Sequence, residues 1–354
     1  MSSRNIVPPP KTGGIEQPAF YLIKELVKRG HKIVLFAAPG SKIKGAKVEK
    51  ISPFSTIAKL ERGQLEERVN NFYDTVALAD FFSSGRQKNF DLIQFNDHVF
   101  YKILPFAGQS EIPIVIQINY PHKEIFPYLK KSISGIKNVH YLPMSDFIKS
   151  AMPGLNYLEP FYPSFDFKDF PLSFSKKEHL LFIGRICPEK GVHLAIEAAK
   201  RAGRKLIIAG GISPSNLSYF NDLIKPHIDN KNIVYSGEVD FKTKIKLFQK
   251  AAATLFPIQW DEPFGLVLVE SMACGAPVIA FDRAAVREVV EDKVSGYIVP
   301  DGDIEAMARA IKKIGNINRR GVRRYAENNF SINDWVKKYE DIIRPLVLKN
   351  KKRR

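Results

Sequence analysis

The sequence predicts an α/β protein with two doubly wound, Rossmann-like domains that face a cleft. The chain has 354 residues, which is more than one ordinary hydrophobic core organises and enough for two domains. Short apolar segments alternate with helix-like segments, and they fall into two series. Apolar strands separated by helices are typical of parallel sheets that are covered on both faces. The stretch FYPSFDFKDFPLSFSKKEH, which has no periodicity, separates the two series and is predicted to be the linker.

The first series predicts an N-terminal domain over residues 1–163. A helix-like segment, QPAFYLIKELVKRG, is followed by the apolar segments KIVLFAA, DLIQF and IPIVIQI, which we predict to be strands. Only RNIV precedes three prolines near the start, and prolines do not belong in a central strand. The first strand is therefore expected to be very short, unless the encoded start is clipped.

The second series predicts a C-terminal domain over residues 164–337. The predicted strands are HLLFIG, KLIIAGG, NIVYSG, ATLFPI and PVIAF, and the predicted helices between them include VHLAIEAAKRAG and KTKIKLFQKA. The segment SINDWVKKYEDIIRPLVL is amphipathic, with Ser331 as its expected N-cap. The last helix, over 338–354, can pack back on the first domain.

Composition excludes several classes of protein. The two cysteines, Cys187 and Cys274, do not make a disulfide scaffold and are expected to be reduced thiols in a cytoplasmic protein. No N-terminal apolar run resembles a signal peptide. The longest apolar stretch, near 264–281, is interrupted by Glu270 and Ser271, so no membrane span is expected.

The net charge of +17 is compatible with three kinds of partner: nucleic acid, an anionic membrane surface, or an anionic small substrate. No zinc-finger spacing and no aromatic-rich basic strand is evident, so no nucleic-acid partner is predicted. The compact basic run KNKKRR at the C-terminus is interpreted as a solvated tail, with peripheral contact to an anionic membrane as the alternative.

The stretch DEPFGLVLVESMACGAPVIAF carries two acids in an otherwise apolar segment. Pro263 suits the first residue of a helix, and Gly275 suits its end, so a helix feeding the strand PVIAF is predicted. Along such a helix Glu262 and Glu270 would lie roughly 12 Å apart. A helix-capping acid plus an unrelated surface acid is the alternative, but apolar neighbours surround Glu270, and an acid there needs a partner or a ligand.

Further features of the second series suit a diphosphate. Arg185 and Lys190, in GRICPEKG, follow a predicted strand end, where folds of this type bind phosphates. They could neutralise the charge that grows on a leaving diphosphate, whereas the alternative is a surface pair at a strand–helix turn. The mouth of the predicted helix offers backbone N–H groups without intrahelical partners, those of Phe264, Gly265 and Leu266. A carboxylate aimed at the diphosphate would be repelled, so Glu262 is expected to face a group that donates hydrogen bonds.

These residues support a family resemblance. GGIEQPAFYLIKELVKRGHKIVLFAAPGS, FIGRICPEKGVHLAIEAAK and DEPFGLVLVESMACGAPVIAF resemble, in order and spacing, three hallmark regions of the retaining family 4 glycosyltransferases, the group 1 glycosyl transferases of GT-B fold. The resemblance implies transfer of a hexosyl group from a nucleoside-diphosphate sugar to a hydroxyl acceptor, which could be a saccharide, a lipid-linked compound or a small molecule. It implies retention of configuration, with no metal and no cofactor beyond the donor.

The resemblance also implies roles for particular residues. The implied catalytic residues are Arg185, Lys190 and Glu262. The implied donor-binding residues are Gly14, Val239, Phe264, Gly265, Leu266 and Glu270. Among them, Glu270 would bind the ribose hydroxyls and Val239 would lie near the base. Gly14 forms a turn with Gly13 that would approach the donor phosphate and the acceptor. The alternative for these glycines is a simple tight turn, and the alternative for Val239 is a plain strand end. The acceptor-side candidates are Asp97, His98, Asn119 and His122.

The chain departs from the family pattern at several positions. In the family that the chain resembles, many members have histidine where this chain has Gln94, Asn96 and Asn119, and glycine is usual where it has Ala284. The histidine differences bear on the acceptor side, with His122 three residues after Asn119. They do not imply inactivity, because the leaving phosphate can itself take the acceptor's proton. Glu262 is accordingly expected to hold the sugar rather than to act as a covalent nucleophile.

Other functions remain open on the same fold. One is a sugar-nucleotide epimerase, which would release nucleotide without an acceptor. A phosphorylase would need a lysine-bound pyridoxal phosphate, and no lysine segment of that kind is evident. The third is a non-catalytic sugar-nucleotide binding protein, against which the presence of Arg185, Lys190, Glu262 and Glu270 argues. The sequence does not specify the donor sugar, its base or the acceptor.

Overall fold

The structure, a computed structural model, describes residues 6–9, 14–51, 64–96, 99–133, 135–174 and 178–351. The chain divides into two compact units. The first unit combines Met1–Phe165 with Asn333–Arg354, and the second unit is Asp166–Ile332.

The first unit is an α/β unit with parallel strands. Its elements up to residue 165 are α1 (Glu16–Lys28), β1 (Val34–Ala37), β2 (Lys47–Lys50), α2 (Gln64–Ser83), β3 (Ile93–Phe95), α3 (Leu104–Ala107), β4 (Ile114–Ile118), α4 (Phe126–Ile133), β5 (Val139–Pro143) and α5 (Asp146–Ala151). β1 pairs with β2, and β4 pairs with β3 on one side and β5 on the other, all in parallel. Every residue of β4 is buried, as expected for a central strand between helices.

The two sheets of the first unit share no strand among the described residues. Residues of β1 and β3 both line a mainly apolar cavity of about 240 Å³, together with side chains of α1 and α2. None of the described residues ahead of α1 lies in a strand, although Val7 is buried and its carbonyl accepts a hydrogen bond from the Lys42 N–H. The rest of the segment in which a short first strand was expected lies outside the described residues.

The second unit contains one six-stranded parallel sheet with helices between its strands. Its elements are β6 (His179–Ile183), α6 (Val192–Arg201), β7 (Leu206–Ala209), α7 (Leu217–Tyr219), β8 (Ile233–Tyr235), α8 (Phe241–Lys250), β9 (Ala251–Phe256), α9 (Leu266–Ala273), β10 (Val278–Phe281), α10 (Val286–Val289), β11 (Gly296–Val299), α11 (Ile304–Lys313) and α12 (Arg319–Phe330). The predicted strands of the second series are all present.

The strand order of this sheet is β11-β10-β9-β6-β7-β8. Successive strands extend outward from β6 in one direction, and the chain then crosses to β9 and extends in the other. The order therefore reverses between β6 and β9. In doubly wound sheets, ligands bind outside the carboxyl ends of the strands at such a switch point. This edge is where the predicted phosphate-binding residues follow their strands.

The last helix, α13 (Ile332–Lys351), lies in the first unit from Asn333 onward. The Trp335 ring stacks on Phe161 with 5.0 Å between centroids, and the Tyr339 hydroxyl donates a hydrogen bond to the Gln94 side chain. Buried aromatic contacts of this kind hold the chain end on the first unit. No helix in the described part of the chain is both long enough and apolar enough to cross a membrane.

The backbone at Ala284 suits the glycine that the family resemblance leads us to expect there. Ala284 has a φ of 51°, in the left-handed region, whereas the next residue, Ala285, has a φ of −81°. A residue with a side chain in that region destabilises the folded state by about 1–2 kcal/mol. Glycine removes this strain, but only part of the gain appears as stability, because glycine also has greater conformational freedom in the unfolded chain.

We therefore expect Ala284→Gly to raise the free energy of unfolding by about 0.5–1 kcal/mol in urea titrations. Ala285→Gly is the matched control and should lower it, because Ala285 is buried and its backbone needs no glycine. A loss of stability in both variants would contradict the interpretation.

Candidate functional site

A close backbone approach joins the two chain segments at the switch point. After β6 the chain passes through Arg185 into a tight turn, Pro188–Lys190, and then Gly191, whose φ is 68°. A Cβ atom on Gly191 would lie 1.9 Å from the carbonyl oxygen of Pro257, the residue after β9. Only glycine fits there, and the Gln259 N–H donates to the Glu189 carbonyl at 2.8 Å. The turn that carries Lys190 is therefore fixed against the segment that follows β9.

This contact brings two predicted catalytic residues together. The Lys190 ammonium pairs with the Glu262 carboxylate, and Lys190 Nζ lies 4.9 Å from the centroid of the Trp260 ring. The Trp260 indole N–H donates to Glu262 Oε2 at 3.0 Å. Both charged side chains are about one-sixth exposed, at 16% and 15%. The pair is thus partly covered by an aromatic ring and keeps part of its surface exposed.

The helix after Glu262 begins later than predicted. α9 starts at Leu266, not at Pro263, because Gly265 has a φ of 85° and interrupts the helix. A Cβ atom on Gly265 would lie 3.0 Å from Leu268 Cδ1, so the turn is tightly packed as well as left-handed. Glu262 therefore does not cap the helix, and the capping alternative is wrong. The 12 Å estimate assumed a continuous helix from Glu262 and does not apply.

The later start changes which backbone groups the helix mouth offers. The Leu268 N–H bonds to the Gly265 carbonyl at 2.9 Å, so the helix start presents the N–H groups of Leu266 and Val267. Phe264 precedes this start; its ring is buried edge-to-face against Phe330, with 5.8 Å between centroids. The Phe264 side chain therefore anchors the loop.

Glu270 lies in the second turn of α9 and has a partner that the sequence did not identify. Glu270 Oε1 accepts a hydrogen bond from Lys244 Nζ at 2.6 Å. Lys244 is on α8 and is only 6% exposed, with its ammonium 5.6 Å and 5.1 Å from the rings of Phe170 and Phe241. Positions 241, 244, 245 and 248 form the apolar stripe of α8, so a lysine within this stripe was the available signal.

Two arginines hold the other end of α9, and no sequence pattern had indicated them. The Arg319 guanidinium donates to the carbonyls of Ala251, Gln249 and Cys274 at 2.8, 3.3 and 3.3 Å, and Arg323 donates to the Ala273 carbonyl. Cations at a helix C-terminus satisfy its last carbonyls and its dipole. Burial lowers the pKa of Arg319 to about 10, so it stays charged at neutral pH.

The two cysteines are buried free thiols. Burial raises the pKa of Cys274 to about 12, and the nearby Glu270 carboxylate adds to the rise. Burial also raises the pKa of Cys187. Both therefore stay protonated at neutral pH and are poor nucleophiles. Among the described residues, no group of three histidine, cysteine or acidic side chains is arranged to hold a metal ion.

The other predicted residues of the second unit lie near the same sheet edge. The side chain of Arg185 is exposed directly after β6, where an anion can reach it. Val239 is half-buried in the loop between β8 and α8, one residue before the N-cap of α8, Asp240.

The predicted residues of the first unit that the structure describes lie before α1 and after β4. Gly14 is exposed before α1, and a Cβ atom there would meet nothing within 4 Å, so space does not require glycine. Asn119 is buried at the end of β4 and its amide donates to Asn96 Oδ1 at 3.1 Å. The His122 ring packs against Tyr120, with 5.1 Å between centroids. The remaining candidates, Gly13, Asp97 and His98, lie outside the described residues.

Part of the chain matches the model of a known family. Residues 164–330 match the family model of the glycosyl transferases group 1. The O-antigen chain mannosyltransferase C of Escherichia coli is 29% identical over 151 residues, which cover 42% of this chain and 40% of that protein. The chain spans less than half the length of the curated relatives that it matches.

Solved structures extend the likeness to nearly the whole chain. The Anabaena protein HepE, solved with UDP and glucose, aligns with a TM-score of 0.74 at 17% identity, covering 94% of this chain and 96% of HepE. A sucrose-phosphate synthase from Thermosynechococcus elongatus aligns with a TM-score of 0.79 at 15% identity, covering 98% and 96%. The fold is therefore GT-B, with two Rossmann-like units, as predicted.

Arg319 and Arg323 together form an arginine clamp at the end of α9, and its stabilising effect can be tested at Arg319. Arg319→Met keeps the aliphatic length of the side chain but removes three hydrogen bonds to half-buried carbonyls. We expect the free energy of unfolding to fall by roughly 2–4 kcal/mol, as measured by urea denaturation.

Arg320→Met is the matched control, since Arg320 is the exposed neighbour on the same helix. It should change the free energy of unfolding by less than about 0.5 kcal/mol. Equal losses in the two variants would show that the clamp is not what stabilises α9.

Proposed function

We propose that the protein is a glycosyltransferase that moves a sugar from a nucleoside-diphosphate donor to a hydroxyl acceptor. The observation that carries the proposal is that Arg185, Lys190 and Glu262 follow the carboxyl ends of β6 and β9, at the switch point of the six-stranded sheet. The family match over 164–330 and the group 1 relatives support it.

The donor diphosphate would bind between the exposed Arg185 and the half-buried Lys190. Both are cations, and the N–H groups at the start of α9 add further positive potential. As the bond to the sugar breaks, negative charge grows on the diphosphate, and preorganised cations stabilise it most at that moment. HepE is solved with UDP and glucose, which makes UDP-glucose the first donor to test.

Glu262 would hold the sugar. In the structure its carboxylate is shared by Lys190 and the Trp260 indole, so it is charge-balanced without a ligand. If a bound diphosphate pairs with Lys190, the Glu262 carboxylate is left able to accept hydrogen bonds from sugar hydroxyls. Glu270, in the second turn of α9, would accept hydrogen bonds from the ribose hydroxyls.

We further propose that the reaction retains the configuration of the sugar and uses no metal, as the resemblance implies. The leaving phosphate oxygen would take the proton of the acceptor hydroxyl, so no protein base is required. Arg185 and Lys190 would then supply the charge stabilisation that other transferases obtain from a metal ion.

One experiment tests the reaction class. UDP-glucose, GDP-mannose and ADP-glucose are each incubated with a panel of hydroxyl acceptors, and nucleotide release and product anomer are followed by NMR. We expect acceptor-dependent release and a product with the anomeric configuration of the donor, in the presence of EDTA. Release without an acceptor and with an inverted hydroxyl in the sugar would favour an epimerase. An inverted product would overturn retention.

The cations have a separate prediction. Arg185→Ala and Lys190→Ala are each expected to lower kcat by about a hundredfold or more, the loss typical for one preorganised group at the reacting charge. Lys312→Ala, which removes an exposed lysine of α11, is the control and should leave kcat unchanged. Activity at the wild-type level in both site variants would rule out this role.

A further inference from the structure

We propose that Lys244 is a positioning residue, one that fixes Glu270 for recognition of the ribose hydroxyls of the donor. The inference rests on the proposed function, because it assigns Glu270 to a nucleotide. Lys244 would not itself contact the ligand. It acts through the carboxylate to which it is hydrogen-bonded.

The burial of Lys244 calls for a role beyond stability. Its ammonium lies in the apolar stripe of α8, and the residue is 6% exposed. Taking an ion pair out of water costs so much that an apolar pair of similar size is often as stable or more stable. Lys244 is therefore expected to contribute little to the stability of the fold, and its presence is better explained by its effect on Glu270.

The contacts confine Lys244 and leave half of the carboxylate available. The rings of Phe170 and Phe241 flank the ammonium at 5.6 and 5.1 Å, and the third contact is Glu270 Oε1 at 2.6 Å. Within the part of the chain that the structure describes, no hydrogen bond reaches the other oxygen, Oε2. Glu270 is 15% exposed, so a ligand can reach it. One oxygen is fixed by the lysine and the other can accept from a hydroxyl.

The test measures discrimination between ribose and its deoxygenated form. Calorimetry gives the Kd of UDP and of 2′,3′-dideoxy-UDP for the wild type, Lys244→Met, Lys244→Gln and Glu270→Gln, with GDP and ADP pairs used if UDP does not bind. The matched control is Lys246→Met, which removes an exposed lysine from the same helix. Thermal melting checks that each variant is folded, and Lys244→Gln carries the test if Lys244→Met does not fold.

We expect the wild type and Lys246→Met to prefer the ribose form by about tenfold or more, the worth of one or two charge-assisted hydrogen bonds. In Lys244→Met, Lys244→Gln and Glu270→Gln this preference should fall to about two- to threefold. Their affinity for the dideoxy form should stay close to that of the wild type, because the phosphate contacts are untouched.

The outcomes separate the inference from the function beneath it. If the wild type binds none of the three nucleoside diphosphates, the proposed function fails and takes the inference with it. If Glu270→Gln loses the preference and both Lys244 variants keep it, the function stands and the inference is overturned. Equal weakening of both ligand forms in the Lys244 variants also overturns it, because that result indicates a structural role.

Discussion

A backbone contact determines where the charged groups of the second unit lie. Gly191 approaches the Pro257 carbonyl so closely that no side chain fits between them, and this contact joins the turn after β6 to the segment after β9. Lys190 precedes this glycine, and Trp260 and Glu262 follow the proline by a few residues. Because β6 and β9 are neighbours at the point where the strand order reverses, the contact sits where a doubly wound sheet receives ligands. Replacing Gly191 would separate the lysine from the carboxylate.

Two lysine–glutamate pairs with the same organisation occur along this part of the chain. Lys190 pairs with Glu262 beside one aromatic ring, and Lys244 pairs with Glu270 beside two. Each pair is electrically neutral, although the chain as a whole carries a charge of +17. The excess positive charge of the chain therefore lies on residues outside these pairs. Attraction for an anion at this edge of the sheet comes from the exposed Arg185 and from the start of α9, while the pairs supply oriented donors and acceptors.

Much of the fold could be predicted from the sequence, because the alternation of apolar and amphipathic segments indicates which segments are buried strands and which are helices that cover them. Strands β6 to β10 were predicted, and β11 was not. Lys190 and Glu262 were assigned to one site, but their ion pair was not predicted. The start of α9 was not, because the left-handed turn at Gly265 is determined by packing that a local pattern does not contain. Lys244 was visible as a lysine in an apolar stripe, but its partner is 26 residues away and only tertiary structure identifies it. The carbonyls that Arg319 contacts were hidden for the same reason.

The two units differ in the continuity of their sheets, and this affects how each responds to thermal fluctuation. In the second unit one hydrogen-bonded ladder runs across six strands, so opening any inner strand disrupts neighbours on both sides. In the described part of the first unit, the β1–β2 pair and the β3–β4–β5 sheet are joined by side chains around a cavity and by the helices. The smaller pair can therefore open while the larger sheet stays closed. Backbone amides of β1 and β2 would exchange with solvent deuterium through such local openings, whereas those of β6 and β9 would exchange only when their whole unit unfolds.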